Sequence, residues 1–75
     1  IERPEDIDLQ LQCADIEVMS GYLDSAFDRL LRLLVVLVGD EQKRVKDHLL
    51  GLFTLVDPAD PLVIKARAQL ANALF

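Results

Sequence analysis

Residues 30–38 read LLRLLVVLV. Arg32 is the one polar residue among them, so the segment has to be covered, and its cover decides the fold. Length excludes a membrane span, which takes about twenty apolar residues. Asp28, Arg29 and Arg32 interrupt one side, and Asp40 and Glu41 close the other. The β-branched Val35, Val36 and Val38 would suit a strand. Yet the run continues a helical period that starts at Leu23 with no turn between, and no other segment offers a partner strand. A helix apolar on nearly all sides is a buried helix. The expectation is a central helix over 22–38, stopped by Gly39.

Upstream, a helix over 4–19 is expected. Pro4 suits a first turn, and Glu5, Asp6 and Asp8 place negative charge beside its unpaired N–H groups. Ile7, Leu11, Ala14 and Val18 fall on one face. Leu9, Cys13 and Ile16 make a second stripe, which implies contact on two sides. Ser20-Gly21 ends the helix.

Downstream, Asp40 is placed as N-cap of a helix over 40–56, with Val45, Leu49, Leu52, Phe53 and Val56 on its face and Leu50 and Leu55 alongside. Lys43 and Asp47 sit four apart, a spacing for an ion pair. The sequence DPADP (57–61) then forces a break, because the residue before a proline leaves the α region. Asp60 caps and Pro61 opens a last helix over 61–74. Its expected stripe is Leu62, Ala66, Leu70 and Ala73, with Val63, Leu74 and Phe75 beside it. Short links between helices give antiparallel neighbours. The fold class is therefore all-α: four antiparallel helices as two hairpins, in one small domain of 75 residues.

The formal net charge is −5. That argues against a nucleic-acid backbone or an anionic lipid surface as ligand, since both need clustered Lys and Arg. Lys43, Arg44 and Lys46 form the one close basic group and read as a solvated face. A single cysteine, Cys13, allows no intrachain disulfide, which fits a reducing, cytoplasmic setting. No nucleophile–base pair, phosphate loop or metal-ligand spacing is present, so neither an enzyme nor a cofactor or metal site is expected. The start at Ile1 suggests a piece of a longer protein.

Within ADIEVMSGYLDSAFDRL (14–30), Ala14, Gly21, Ala26 and Leu30 resemble the small-residue skeleton of a tetratricopeptide unit, in which small side chains let two antiparallel helices approach. The residues VKDHLLGLFTLVDPADPLVIKARAQLANALF (45–75) resemble the C-terminal tail of the YbbN type of thioredoxin-like co-chaperones, or chaperedoxins. The matching positions are Leu49, Leu50, Leu52, Phe53, Asp60, Pro61, Val63, Arg67, Leu70, Ala71, Leu74 and Phe75. That resemblance implies tetratricopeptide-like hairpins following a thioredoxin-like domain. It also implies a binding role toward unfolded clients or a chaperonin in the stress response. The alternative is a structural domain for self-association, with 30–38 as a homodimer seam.

Individual residues have bland readings as well. Cys13 reads as a buried structural thiol and His48 as a lone surface or boundary histidine. Asp57 and Asp60 read as turn and capping groups. Arg67 is either a structural ion pair, plainly solvated, or a partner contact. Leu70, Leu74 and Phe75 either pack on the third helix or dock into a partner's groove. Arg67, Leu70, Leu74 and Phe75 are therefore the candidate partner-binding residues.

Overall fold

The computed structural model describes residues 6–74, with the Leu74 side chain outside that description. Four helices follow one another: α1 (Ile7–Met19), α2 (Leu23–Val36), α3 (Gly39–Phe53) and α4 (Pro61–Leu74). No strand occurs among the described residues, and the all-α expectation stands. Pro4 and Glu5, assigned above to the first helix, lie outside the described residues.

Each link has a local cause. At the end of α1 the Tyr22 N–H donates to the Glu17 carbonyl (2.7 Å) and the Gly21 N–H to that of Val18 (3.1 Å). This pair of bonds closes a helix when the residue after its C-cap is left-handed. Gly21 supplies that conformation at φ 88°. The α2–α3 link differs from expectation. α2 ends at Val36, and Val38 is extended. Gly39, at φ 64°, opens α3 instead of stopping α2. The break turns Leu37 into the core. Gln42 reaches back, its Nε2 donating to the Leu34 carbonyl at 3.0 Å, and so satisfies a carbonyl near the end of α2. Asp40 lies in the first turn of α3 and is not its N-cap. α3 stops at Phe53, three residues before the expected Val56, where the Thr54 hydroxyl donates to the Gly51 carbonyl at 2.6 Å. The two aspartates of DPADP have the turn and capping roles read for them. Asp57 accepts from the Ala59 N–H at 2.9 Å, and Asp60 accepts from the Leu62 N–H at 2.8 Å.

α2 is the centre of the fold and packs against each of the other three helices. Ala14 and Ala26 are both fully buried, and the α1–α2 contact is the most extensive in the chain. α3 lies against both α1 and α2, whereas α4 packs chiefly on α2. The core joins Ile7 and Leu11 of α1, Phe27, Leu30, Leu33 and Leu34 of α2, Val45, Leu49, Leu52 and Phe53 of α3, and Val63, Ala66 and Leu70 of α4.

Two expectations need correction. The opening stretch is not wrapped all round: Leu30, Leu33, Leu34 and Leu37 are buried, but Val35 and Val38 are 77% and 78% exposed. Three neighbours cover one broad side of α2 and leave the other to solvent, where Arg32 pairs with Asp28 at 2.9 Å. The second stripe of α1 is likewise left largely uncovered. Leu9 and Ile16 are exposed and Cys13 is only half-buried. On α4 the buried stripe is Val63, Ala66 and Leu70, with Leu62 and Ala73 exposed.

Candidate functional site

Three cross-helix contacts fix how α1 lies beside α3. Arg44 pairs with Asp8 near the start of both helices. One turn further along α3 and two along α1, Asp15 Oδ1 and His48 Nε2 are 2.7 Å apart. Beyond these, Val18 and Met19 face Gly51, Leu52 and Leu55. Residue numbers rise together along both helices, so the two run parallel and their C-terminal ends lie at the same end of the molecule. There they enclose a groove of about 520 Å³ with Val18, Met19, Leu52 and Leu55 as apolar walls and Asp15, Asp47 and His48 at the rim.

Gly51 sits inside α3, and a Cβ built on it meets nothing within 4 Å. A glycine in the last turn of a helix without a close neighbour weakens that turn and leaves the groove open. Gly51→Ala is expected to raise stability by about 0.5–1 kcal/mol, or Tm by about 3–6 °C for a domain of this size. Thermal unfolding by circular dichroism measures it. An unchanged or lowered Tm would mean that the glycine conformation is required.

Charged pairs occur both between helices and within one. Arg29 of α2 donates from Nε and Nη2 to the two carboxylate oxygens of Glu17 (3.0 and 3.1 Å) and from Nη1 to Gln10 (2.7 Å). This half-buried fork is bidentate, a guanidinium–carboxylate geometry that constrains both side chains. The hydrogen bond from Glu17 raises the Arg29 pKa above its ordinary value against the opposing effect of burial. On the solvent side of α3, Lys43 and Asp47 form the expected pair at 2.9 Å. Their hydrogen bond raises the lysine pKa and lowers that of the aspartate. His48, read as solitary, is held by Asp15, a partner the sequence could not show because it lies 33 residues away.

Of the expected partner-binding residues, Arg67 and Leu70 have described side chains, and these two do not share an exposed face. Leu70 is only 6% exposed and belongs to the core, which is the packing side of the two readings given for it. Arg67 is exposed, but its guanidinium lies 4.8 Å from the centre of the Phe53 ring, a cation–π contact that binds α4 to α3. The side chains of Leu74 and Phe75 lie outside the described residues. Among the described residues no group of three His, Cys, Asp or Glu could hold a metal ion. Among those residues no helix is long and apolar enough to cross a membrane.

The α1–α3 groove escaped the sequence reading. Its signal was Gly51 interrupting an otherwise regular helical pattern between Leu50 and Leu52.

Comparison with known proteins agrees with this architecture. The chain is 44% identical over 71 residues to Uncharacterized protein Mb1359 of Mycobacterium bovis and to Uncharacterized protein Rv1324 of Mycobacterium tuberculosis. The match covers 95% of this chain and 23% of each relative, so the chain spans about a quarter of the length of the curated relatives it matches. No solved structure gives a significant match. The family profile described as Tetratricopeptide repeat matches residues 2–75. With paired helices joined by a glycine turn, closely packed through alanines, and with that profile covering nearly every residue, the chain belongs to the tetratricopeptide-repeat family.

Proposed function

We propose that this chain is a non-catalytic, protein-binding part of a longer polypeptide and that it receives an apolar side chain of its partner between α1 and α3. The observation that carries the reading is the groove itself: four apolar walls around open space above Gly51. A single large side chain gains about 1.5–3 kcal/mol on leaving water for such a site, and methionine adapts to varied shapes. Repeats of this family generally mediate protein–protein interaction and are typically non-catalytic. The greater length of the relatives supports the view that other parts of the protein accompany this one.

Within that role we read the protein as a cytoplasmic co-chaperone of the chaperedoxin kind. The support is the residue pattern of α3 and α4, from Leu49-Leu50 to the Leu-Ala pair at 70–71, and the lone half-buried Cys13. Binding of the immobilised chain to reduced, alkylated α-lactalbumin and to purified chaperonin tests this. Saturable binding of either, abolished by Gly51→Phe, is the expected result. Binding of neither sinks the co-chaperone reading. Light scattering over a range of concentrations, run beside it, examines the competing role of self-association through the exposed Val35, Val36 and Val38. A dimer that Val36→Lys dissociates would favour that role.

A further inference from the structure

Resting on the groove proposed above as a binding site, the geometry points to a basic amphipathic segment as its occupant: a large apolar residue for the walls, flanked by lysine or arginine for the rim. Three observations converge on positive charge. The groove is bordered by Asp15 and Asp47 and lined by no lysine or arginine. α1 and α3 both end there, and neither has a basic residue in its last turn. Two parallel helix C-termini bring the negative ends of their dipoles, about half a charge each, to this end of the molecule, and no basic side chain of either last turn offsets them. Finally, the whole chain carries a formal charge of −5, which steers cations toward it.

The carboxylates are partly engaged, but not used up. Asp15 shares one oxygen with His48, and Asp47 shares one with the ammonium of Lys43, a residue one turn back along α3. Among the described residues the second oxygen of each carboxylate has no hydrogen-bond partner. A cation at the mouth would meet both. An acidic segment would bring like charge against two carboxylates and two helix ends, which disfavours it.

Anionic lipid and nucleic acid are disfavoured by the same charges. A cationic helix with a continuous apolar face is the partner that uses both the walls and the rim.

The test uses two synthetic 14-residue probes of identical apolar pattern, one built from Leu and Lys and the other from Leu and Glu, each with a terminal fluorophore. Anisotropy titrations at low salt measure both. The Leu/Lys probe is expected to bind and the Leu/Glu probe to fail. Asp15→Asn combined with Asp47→Asn is expected to weaken the Leu/Lys probe about five-fold, the effect of two rim charges. A control that removes the same net charge elsewhere, Asp24→Asn with Glu41→Gln, is expected to weaken it less than about two-fold. Circular dichroism confirms that both double variants are folded. Equal loss in the two variants would reduce the effect to net charge and overturn the inference. If both probes bind alike and Gly51→Phe blocks both, the groove is a binding site but the choice of a basic occupant is wrong. If neither binds, the groove itself fails as a site, and both conclusions fall.

Discussion

Leu30→Ala is expected to cost about 3–4 kcal/mol, while Val35→Ala, five residues along the same helix, is expected to cost nothing measurable. Leu30 is 0% exposed at the middle of the helix that touches all the others. Truncating it removes three buried carbons and leaves a cavity that three rigid neighbours cannot close, the circumstance that puts leucine-to-alanine losses in the range of about 2.7–5 kcal/mol. A chain of 75 residues holds a total stability of only roughly 4–11 kcal/mol. The variant therefore loses a large share of its folding free energy, and its Tm falls by about 12–25 °C. Val35 is solvent-facing, so its truncation removes little burial. Alanine is also the better helix former, by up to about 0.7 kcal/mol, which offsets what small contact is lost. Urea titrations of both variants read the contrast directly. Similar losses at the two positions would mean that Val35 is buried against something, and the one-sided burial of this stretch would be wrong.

The same contrast explains how far the sequence could be read. The four helices were legible because leucine and alanine recur at helical spacing and because DPADP can only be a break. Buried faces were legible wherever they formed one narrow stripe, as with Val45, Leu49, Leu52 and Phe53. Reading failed where apolar residues ran continuously. In LLRLLVVLV, composition cannot say which side is covered, since that depends on how many helices surround α2 and at what angles. It failed too at helix ends. Leu37 and Gly39 were read from local propensity, but the chain leaves the helix early to turn Leu37 inward, a gain made only in the folded state.

The site was less legible than the fold, for a related reason. Arg29 with Glu17, His48 with Asp15 and Arg44 with Asp8 join residues 12, 33 and 36 positions apart. Pairings of this kind follow from helix register, which no local pattern encodes. Lys43 with Asp47 was legible because both lie on one helix, four residues apart. Arg67 and Leu70 share a terminal sequence motif, yet three residues on a helix turn a side chain to a nearly adjacent direction. That small rotation separates an exposed guanidinium from a core leucine.

Phe53→Ala is expected to cost about 3–5 kcal/mol, the usual loss for a buried phenylalanine, and to act on α4 more than on the rest. Phe53 is the last residue of α3, and its ring lies edge-on to Phe27 of α2 at 5.2 Å between centres, with the planes at 62°. Its other side carries Arg67 of α4. Backbones of α3 and α4 approach each other little, since α4 packs chiefly on α2. The ring is therefore a principal link between the last two helices, across a seven-residue connection (54–60) that supplies no apolar cover except half-buried Val56. Phe53→Leu keeps most of the buried area but loses the aromatic contacts, so its cost should be smaller, about 1–2 kcal/mol. Combined with Arg67→Ala in a double-mutant cycle, Phe53→Leu should show a coupling of about 0.5–1 kcal/mol, the range of a cation–π contact at an exposed site. Amide exchange in Phe53→Leu should quicken first in α4, because that helix loses a tie while the α1–α2 pair keeps its own. A coupling near zero would place Arg67 in solvent and return it to the set of residues free to meet a partner. Uniform quickening along all four helices would show instead that the ring stabilises the core as one unit and does not act as a hinge-side link.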